Sequence, residues 1–461
     1  MINKKNDIIN SRILISPNRL DIGFKLLFIE GIENSSFDKI RAYEQHIYAI
    51  TEGTLIENGN EIKSGLDKFK SDFKDIYSSL RDKGFDNSIS NLPLSINGSI
   101  LDGAHRLASA IYLDLDVYVK WTGDESKKYN YEYFLRRGVE EKYIKLALSC
   151  LSKYTDKIRL ACVWPVASKY KNKLIDKIDN KNILYVQDSN VNLNGVKNLV
   201  VNFYQGESWL GTKNNNYSGA LGKAEPCYKE GKEASFIWFL DETEDLITFK
   251  DEFRKEINSN KHSIHMTDTG NETRVVSEIL LSPDFELIIN NLDYGKSEKY
   301  LSMVEFEINR LLTEYDIEKK DLIVVGSGFW NILNIRQSSD VDFICNPSFK
   351  IDIESHNKYF DFFKYDLNDY FSSDNRVNYI GGVKYISIEE MLDFKKNRNE
   401  EKDKLDIKLL GGFYNPSIFS KKINSFNLLL LKKKTKIKFF VAKILKEMNL
   451  FDFVQLIRGR K

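Results

Sequence analysis

Hydrophobic and polar positions follow two periods along the chain, and the changes between them mark out three segments. The first, about residues 10–125, combines short strand-like runs such as RILIS with a helical stretch, LDKFKSDFKDIYSSL. It closes with SILDGAHRLASAIYLDLDVYVKW, where SILD and VYVKW are typical of strands and AHRLASAIYL has the 3.6-residue period of a helix. We therefore expect a compact β-α-β unit there.

The second segment, residues 150–292, contains the strand-like runs RLACVWP, NILYVQ, NLVVNFY and ASFIWFL, separated by polar, helix-like stretches. The third, residues 298–412, opens with a helix, YLSMVEFEINRLLTEYDI, that leads into the apolar strand DLIVVG. After it we predict the strand VDFIC, the helix HNKYFDFFKYDLNDYF, a strand pair near NRVNYIGGVKYIS and one long helix, IEEMLDFKKNRNEEKDKLDIKLL. The patterns predict a multidomain α/β and α+β protein, with an α+β first domain and α/β second and third domains.

Length and composition support this division. A chain of 461 residues exceeds the ~250 that one core usually serves, and 42% apolar residues are ample for packed domains. The four cysteines are scattered without a CxxC pair, which argues against structural zinc and disulfides. Because we find neither an apolar N-terminal stretch nor a run of ~18 apolar residues, we expect a cytoplasmic location.

Charge is distributed unevenly along the chain. Residues 421–461 carry twelve Lys and Arg against only Glu447 and Asp452, so the preceding residues are net acidic. An acidic body argues against a nucleic-acid partner, which needs a basic face. The basic clusters of the tail alternate with apolar residues, which fits an amphipathic helix lying on the inner face of a membrane, and equally a helix packed on its own domain.

A glycine-serine turn and two acids form the main candidate for chemistry. Gly326 and Ser327 follow the strand DLIVVG, and Asp340-Val341-Asp342 comes after a short loop. Alternate residues of a strand point the same way, so Asp340 and Asp342 could hold Mg²⁺ together. The glycine permits close backbone approach, and the serine hydroxyl with nearby N–H groups could cradle a phosphate. Two polar residues before the acids, Arg336 and Ser339, are candidate phosphate ligands.

This pattern resembles the signature of the polymerase beta-like (minimal) nucleotidyltransferase superfamily, over about 110 residues. The resemblance implies Mg²⁺-dependent nucleotidyl transfer and a third carboxylate on a neighbouring strand, for which Asp352 is the first choice and Asp369 the second. The later helix is similar to the K-x-x-R-x-x-x-K-D-x-x-D helix of small-molecule nucleotidyltransferases. There Lys395, Arg398 and Lys402 would share one face and bracket a triphosphate. The alternative interpretation is a solvated charged helix.

The run DGAHR is the second candidate. A helix N-terminus attracts anions, and His105 and Arg106 add donors beside Gly103. The run resembles the phosphate-binding core of the ParB/sulfiredoxin-like fold, over perhaps 25 residues. In its small-molecule kinases the resemblance implies that Asp102 binds magnesium or the acceptor, with Glu52 as a general base. A helix cap at Asp102 and an ion pair between Arg106 and Glu52 are the structural alternative.

The middle segment has loops rich in polar residues but no recognisable motif. An anionic substrate could be bound by His265, Asp268, Lys213, Lys223 and Arg254. Thr269 and Glu272, however, also fit a capping box at a helix start. No reaction is predicted for this segment.

The combined hypothesis is a bifunctional activating enzyme. The first domain would phosphorylate a polyol, sugar or amino-acid-like acceptor, and the third would transfer a nucleotidyl group from CTP or ATP to it, in surface polysaccharide (O-antigen or capsule) biosynthesis. Three alternatives remain open. They are a toxin-like nucleotidyltransferase that modifies tRNA or protein, a ParB-like protein that binds CTP and DNA, and a glycosyltransferase that uses the DxD acids to bind metal.

Overall fold

The computed structural model describes residues 7–57, 60–86, 88, 91–243, 245–349 and 355–411. Helices and several small sheets alternate along this mixed α/β chain. The first segment contains strands β1 (Asp7–Asn10), β2 (Ile56–Glu57), β3 (Asn60–Ser64), β4 (Leu92–Leu94) and β5 (Asp116–Trp121). Its helices are α1 (Asp21–Glu33), α2 (Phe37–Ile50), α3 (Leu66–Lys83) and α4 (Ala104–Tyr112).

The sheet of the first segment has the order β1-β5-β4, with β5 antiparallel to β1 and parallel to β4. Two strand predictions are wrong here. Most of RILIS forms a 3₁₀ turn, Ser11–Leu14, because the Asn10 side chain accepts the Arg12 N–H and caps it. SILD contributes only an isolated bridge between Ile100 and Leu94, so the strand that precedes the DGAHR run is β4.

Two connecting helices, α5 (Tyr131–Arg136) and α6 (Glu141–Ser152), lead into the middle segment. Its strands are β6 (Ile158–Val163), β7 (Ile183–Ser189), β8 (Ala234–Leu240) and β9 (Ile264–Met266). They form a sheet of order β7-β8-β6-β9 in which every neighbouring pair is antiparallel. The helices are α7 (Lys171–Ile178), α8 (Leu193–Phe203), α9 (Ser218–Cys227), α10 (Leu246–Glu256), α11 (Gly270–Leu280) and α12 (Phe285–Asn291).

The run NLVVNFY, predicted as a strand, belongs to helix α8. The Asn192 side chain caps this helix by accepting the Gly195 N–H at 2.7 Å. The Asn198 amide donates to the carbonyls of Ile289 and Leu292, each at 2.8 Å, which fastens α8 to α12. A short apolar run cannot by itself distinguish a strand from a buried helix, and here the cap and the amide contacts favour the helix.

The third segment contains helices α13 (Tyr294–Tyr315), α14 (Gly328–Ile332), α15 (Leu367–Ser372), α16 (Ile388–Arg398) and α17 (Glu401–Gly411). Its strands are β10 (Leu322–Val325), β11 (Asp342–Cys345), β12 (Val377–Ile380) and β13 (Val383–Ile386). They form a sheet of order β11-β10-β13-β12, with β10 antiparallel to β11 and parallel to β13. The predicted helix HNKYFDFFKYDLNDYF is instead a 3₁₀ turn, His356–Phe362, followed by a short connection and then α15.

Each predicted segment thus contains a sheet of its own, yet one apolar core runs through all three, from Leu14 to Leu410. A smaller core cluster lies under the other face of the middle sheet and includes Phe239 and Phe253. In the part of the chain that the structure describes, no helix is both long and apolar enough to cross a bilayer. The basic tail, residues 421–461, lies outside the described residues, and its membrane contact stays a prediction.

Candidate active site

A cavity of about 840 Å³ opens in the third segment between the turn after β10, the start of β11 and helices α16 and α17. Its volume lies within the range of about 300–1,000 Å³ typical of small-molecule sites. Nine residues predicted for the site line this one cavity: Gly326, Ser327, Arg336, Ser339, Asp340, Asp342, Lys395, Arg398 and Lys402. The fold therefore brings the glycine-serine turn, the two acids and the three cations together.

The glycine turn is built around Asp342. Val325, the last residue of β10, pairs with Asp342 on β11, so Gly326 lies directly beside the aspartate. Gly326 has a φ of +74°, and a Cβ added there would lie 2.1 Å from Asp342 Oδ2. Only glycine fits this position. Ser327 begins α14, and its hydroxyl lies 3.1 Å from the Ser338 hydroxyl, which places two hydroxyls at the cavity edge.

The two acids share the cavity but not the strand. β11 begins at Asp342, whereas Asp340 lies in the bend before it, so the prediction of two alternate strand positions is wrong. The loop from α14 keeps Asp340 exposed, and its Oδ1 accepts a hydrogen bond from Ser338 at 3.2 Å. Burial raises the pKa of Asp342, His356 with its Nδ1 3.6 Å away opposes that rise, and the charge of Asp340 adds to it. A cation between the carboxylates would relieve this repulsion.

The fit to magnesium rests on these two carboxylates. Among the described residues, no three His, Cys, Asp or Glu side chains are grouped as metal ligands. Asp352, the first choice for a third ligand, lies outside the described residues. Asp369, the second choice, is wrong, because it is buried away from the cavity and its carboxylate accepts the Phe37 N–H at 2.8 Å. Asp340 and Asp342 would therefore hold Mg²⁺ together with substrate phosphate oxygens.

The cations of the predicted long helix lie on two helices. The chain breaks at Asn399, which has a φ of +55°, so Lys402 lies on α17 and does not share a helical face with Lys395 and Arg398. The turn still directs all three toward the cavity. The alternative interpretation, a solvated charged helix, is wrong for Lys395, whose side chain is only 3% exposed. It is right for Lys402, whose side chain is 66% exposed and pairs with Glu400 at 3.1 Å.

Lys395, Arg398 and Lys402, together with Arg336, form one side of the cavity, which we call the cationic wall. Two aspartates that sequence reasoning did not assign neutralise part of its charge. Asp403 binds Lys395 at 3.2 Å and Arg398 at 2.6 Å. Asp406 binds Lys395 at 2.8 Å and Arg336 through both oxygens, at 2.7 and 3.0 Å. Both acids are almost fully buried, so the wall is a rigid network with a small net positive charge. The sequence signal for these two acids was the D-x-x-D spacing at the end of the motif.

Tyr300 was also missed. Its hydroxyl is buried without a hydrogen-bond partner among the described residues, and a Cβ on Gly328 would lie 1.6 Å from it. Burial raises the pKa of Tyr300, and the charges of Asp342 and Asp340 raise it further. The hydroxyl therefore lies beneath the start of α14, close to both acids. Its only sequence signal was a place on the buried face of α13.

In the first segment, the DGAHR run forms the start of helix α4. Gly103 has a φ of +79°, and a Cβ there would lie 2.6 Å from the Arg106 guanidinium and from Leu92. His105 Nε2 lies 3.0 Å from the Tyr43 hydroxyl, and burial lowers the pKa of this histidine well below its usual range. His105 is therefore an inward-facing ring whose Nε2 contacts Tyr43, and not the phosphate donor that we expected. Asp102 is exposed beside it.

Glu52 pairs with Arg137, whereas the sequence had suggested Arg106 as its partner. Its Oε1 accepts a hydrogen bond from Arg137 at 2.9 Å, and the residue adopts a φ of +51° at the end of α2. A carboxylate held by a guanidinium is a weak base, because the ion pair favours its charged form. The geometry therefore argues against Glu52 as a general base.

A buried polar cluster lies behind the DGAHR run. Arg19 binds both oxygens of Asp21, at 2.7 and 2.8 Å, and donates to the carbonyl of Ile100. Lys25 lies 3.0 Å from Asp21 and 3.2 Å from His46 Nε2. These charged residues are at most 3% exposed and fix the DGAHR turn to α1. The R-x-D-x-x-x-K spacing, which places Asp21 and Lys25 one helical turn apart, was their signal.

The residues proposed for the middle segment separate into two groups. Lys213 pairs with Glu305 at the surface, away from the others. Asp268 pairs with Lys250 at 2.7 Å, and its charge opposes the fall that burial causes in the pKa of His265. Thr269 caps α11 by accepting the Glu272 N–H at 3.1 Å, as the capping-box alternative predicted. Lys223, Arg254 and His265 do lie in one region, which is described below.

Comparison with protein-family models, with curated proteins and with solved structures finds no match to this chain.

Proposed function

We propose that the chain is a Mg²⁺-dependent nucleotidyltransferase that uses CTP or ATP and acts on a phosphorylated small molecule. The single observation that carries this proposal is the convergence of a glycine-serine turn, two adjacent carboxylates and a cationic wall on one cavity. Each group matches one requirement of nucleotidyl transfer, namely phosphate binding, metal binding and charge stabilisation. A sugar-nucleotide glycosyltransferase would also bind a diphosphate through two acids and a metal, and the glycine turn built against Asp342 favours nucleotidyl transfer over it.

In this proposal, the turn after β10 holds a phosphate of the nucleotide through backbone N–H groups and the Ser327 hydroxyl. Arg336 and Arg398 face the triphosphate and keep their geometry through Asp406 and Asp403. Bound Mg²⁺ would supply charge stabilisation at the transferring phosphorus. A phosphate oxygen of the acceptor forms a bond to the α-phosphorus of the nucleotide. The bond between the α-phosphorus and the oxygen that bridges to the β-phosphate breaks, and pyrophosphate leaves.

Pyrophosphate release tests the proposal. The pure chain would be incubated with Mg²⁺, CTP or ATP, and a panel of sugar, polyol and amino-acid phosphates. We expect acceptor-dependent release that Asp340→Asn and Asp342→Asn each reduce by at least about 100-fold. Asp361→Asn, which changes an exposed acid outside the cavity lining, is the matched control. The proposal fails if no acceptor supports release, or if the cavity and control variants are equally active.

We further propose that the first segment phosphorylates the acceptor, in a pathway of surface polysaccharide synthesis. The glycine turn at the start of α4 and the charged cluster fixed behind it support this activity. Formation of ADP from ATP with unphosphorylated acceptors would test it, with Asp102→Asn as the variant. Loss of ADP formation in Asp102→Asn while nucleotidyl transfer to a phosphorylated acceptor persists is the expected result. Equal ADP formation by the native chain and by the Asp102→Asn variant would refute the assignment.

A further inference from the structure

Three loops of the middle segment meet around His265. We call the resulting group the His265 cluster; it consists of Tyr204, Trp209, Lys223, Arg254, His262 and His265. Tyr204 and Trp209 follow α8, Lys223 lies on α9, Arg254 lies on α10, and the two histidines lie on or beside β9. None of them contributes to the cavity of the third segment.

His265 forms the floor of the cluster. Its Nδ1 lies 3.2 Å from the Tyr204 hydroxyl, and its ring packs on Phe203 with 4.7 Å between centroids. The side chain is 13% exposed, and Nε2 is buried without a hydrogen-bond partner among the described residues. The nearest acid is Glu272, whose Oε1 lies 3.6 Å from Nε2, which is longer than a hydrogen bond. The side chain therefore has one buried ring nitrogen without a hydrogen bond, next to a carboxylate.

Two cations converge on the loop beside this histidine. Lys223 Nζ donates to the Lys261 carbonyl at 2.7 Å, and Arg254 Nη2 donates to the Ile264 carbonyl at 3.3 Å. The Arg254 Nε is buried and has no hydrogen-bond partner in the described chain. Burial lowers the pKa of Lys223, and the charges of Arg254 and Lys261 lower it further. Asp251 already pairs with Arg254 Nη1 at 2.9 Å, so a further anion would be held by the Lys223 ammonium and the unpaired Arg254 Nε.

An aromatic face lies beside the cations. The Trp209 side chain is 42% exposed, although its ring meets Tyr204 edge to face at 5.3 Å. The Lys223 ammonium lies 5.7 Å from the centre of the Tyr204 ring. An exposed tryptophan next to cations is suited to a ligand that carries both a ring and a negative charge.

Covalent catalysis by the nearby thiol does not fit this geometry. Cys227 Sγ lies 3.8 Å from His262 Nδ1, but burial raises the pKa of this thiol to about 12. A thiol in that state is a weak nucleophile at neutral pH. The cluster is therefore suited to binding a ligand and not to forming a thioester or disulfide with it.

We propose that the His265 cluster binds a phosphorylated small molecule that contains a ring, such as a sugar phosphate or a nucleoside monophosphate. Lys223, Arg254 and His265 would hold the phosphate, and the ring would lie against Trp209. Asp251 and Asp268 each pair with a cation of this surface, so the surface lacks the continuous basic face that an extended polyanion such as nucleic acid needs. This site is independent of the proposed nucleotidyl transfer.

Titration of the full chain with three probes tests the site: inorganic phosphate, glucose 1-phosphate and cytidine monophosphate. Tryptophan fluorescence and calorimetry would report binding, because Trp209 is exposed beside the proposed ligand. We expect one ring-bearing probe to bind more tightly than inorganic phosphate, and Lys223→Gln with Arg254→Gln to weaken it at least about 10-fold. Trp209→Ala should weaken the ring-bearing probe but leave inorganic phosphate unchanged.

Two controls distinguish this site from the cavity in the third segment. Lys255→Gln changes an exposed cation next to Arg254 in sequence and should leave binding unchanged. Asp342→Asn should also leave it unchanged, whether or not that variant loses nucleotidyl transfer. The proposal is overturned if no probe binds saturably, or if binding survives both the double variant and Trp209→Ala. Because Trp209 is exposed, its variant tests the site even if the double variant does not fold.

Discussion

Replacing Gly326 by alanine would separate the stability of the glycine turn from its function. At a φ of +74°, alanine costs about 1–2 kcal/mol. The new Cβ would also lie 2.1 Å from Asp342 Oδ2, where ordinary contacts begin at 3.4 Å, so that carboxylate must shift by roughly 1 Å. A displacement near 1 Å at a reacting centre can cost about 100-fold in rate. We therefore expect pyrophosphate release to fall about 10- to 100-fold.

Gly382→Ala is the matched control. Gly382 has the same φ, +74°, in the turn between β12 and β13, and a Cβ there would have no atom within 4 Å. Both variants should lose free energy of unfolding, measured with urea, through the same backbone penalty, and Gly326→Ala should lose more because its Cβ also displaces the Asp342 carboxylate. Only Gly326→Ala should lose activity. Full turnover in Gly326→Ala, or an equal loss in Gly382→Ala, would show that the contact with Asp342 does not matter for function.

Three further changes have expected outcomes. Asp340→Asn should abolish the rise in melting temperature that Mg²⁺ with nucleotide causes in the native chain, as measured by calorimetry. Asp406→Asn should lower the free energy of unfolding by about 1–3 kcal/mol, because Arg336 loses its carboxylate partner while Lys395 keeps Asp403, and urea unfolding would measure this. Burial raises the pKa of Asp284 to about 6, so its protonated form stabilises the fold below pH 4 and that contribution disappears as pH rises through 6. Asp284→Asn should remove this dependence from the unfolding free energy measured between pH 4 and 7.

The sequence predicted the third-segment site well because its geometry is local. A buried strand, a glycine and a serine define a turn whatever surrounds them, and Asp342 pairs with the residue just before that turn. Nine predicted residues accordingly line one cavity. Their chemical roles stay predictions, as does the ligand role of Asp352.

The errors come from side-chain contacts that helix and strand periodicity does not encode. Helical propensity continues through Asn399, but the chain turns there, which lets Asp403 and Asp406 fold back onto Lys395 and Arg398. The inward orientation of His105 depends on Tyr43, 62 positions earlier. No local pattern encodes such partners, and so sequence reasoning assigned free cations where the fold has ion pairs.

The largest departure from the predicted division into domains is a buried ion network that connects the first and third segments. Arg376, only 5% exposed, binds Asp38 of α2 at 2.7 Å and also Glu390 of α16. The Tyr365 ring lies 3.4 Å from the guanidinium carbon. A buried ion network of this kind adds little net stability but fixes geometry, since removing one partner leaves an uncompensated charge.

The elements that carry both candidate sites, in the first and third segments, are held together by this ion network. Helix α2 also provides Tyr43, which contacts His105, and α16 also provides Lys395 of the cavity wall. Cutting the chain at residue 125 would remove Arg376 from Asp38, and an isolated 298–412 fragment would lack Asp38. Each fragment would also lose part of the one apolar core that runs through all three segments, so neither should fold stably when expressed between its predicted boundaries, in contrast to independent domains joined by a linker. The two proposed activities would then belong to one rigid frame, in which a change at Arg376 affects both sites at once.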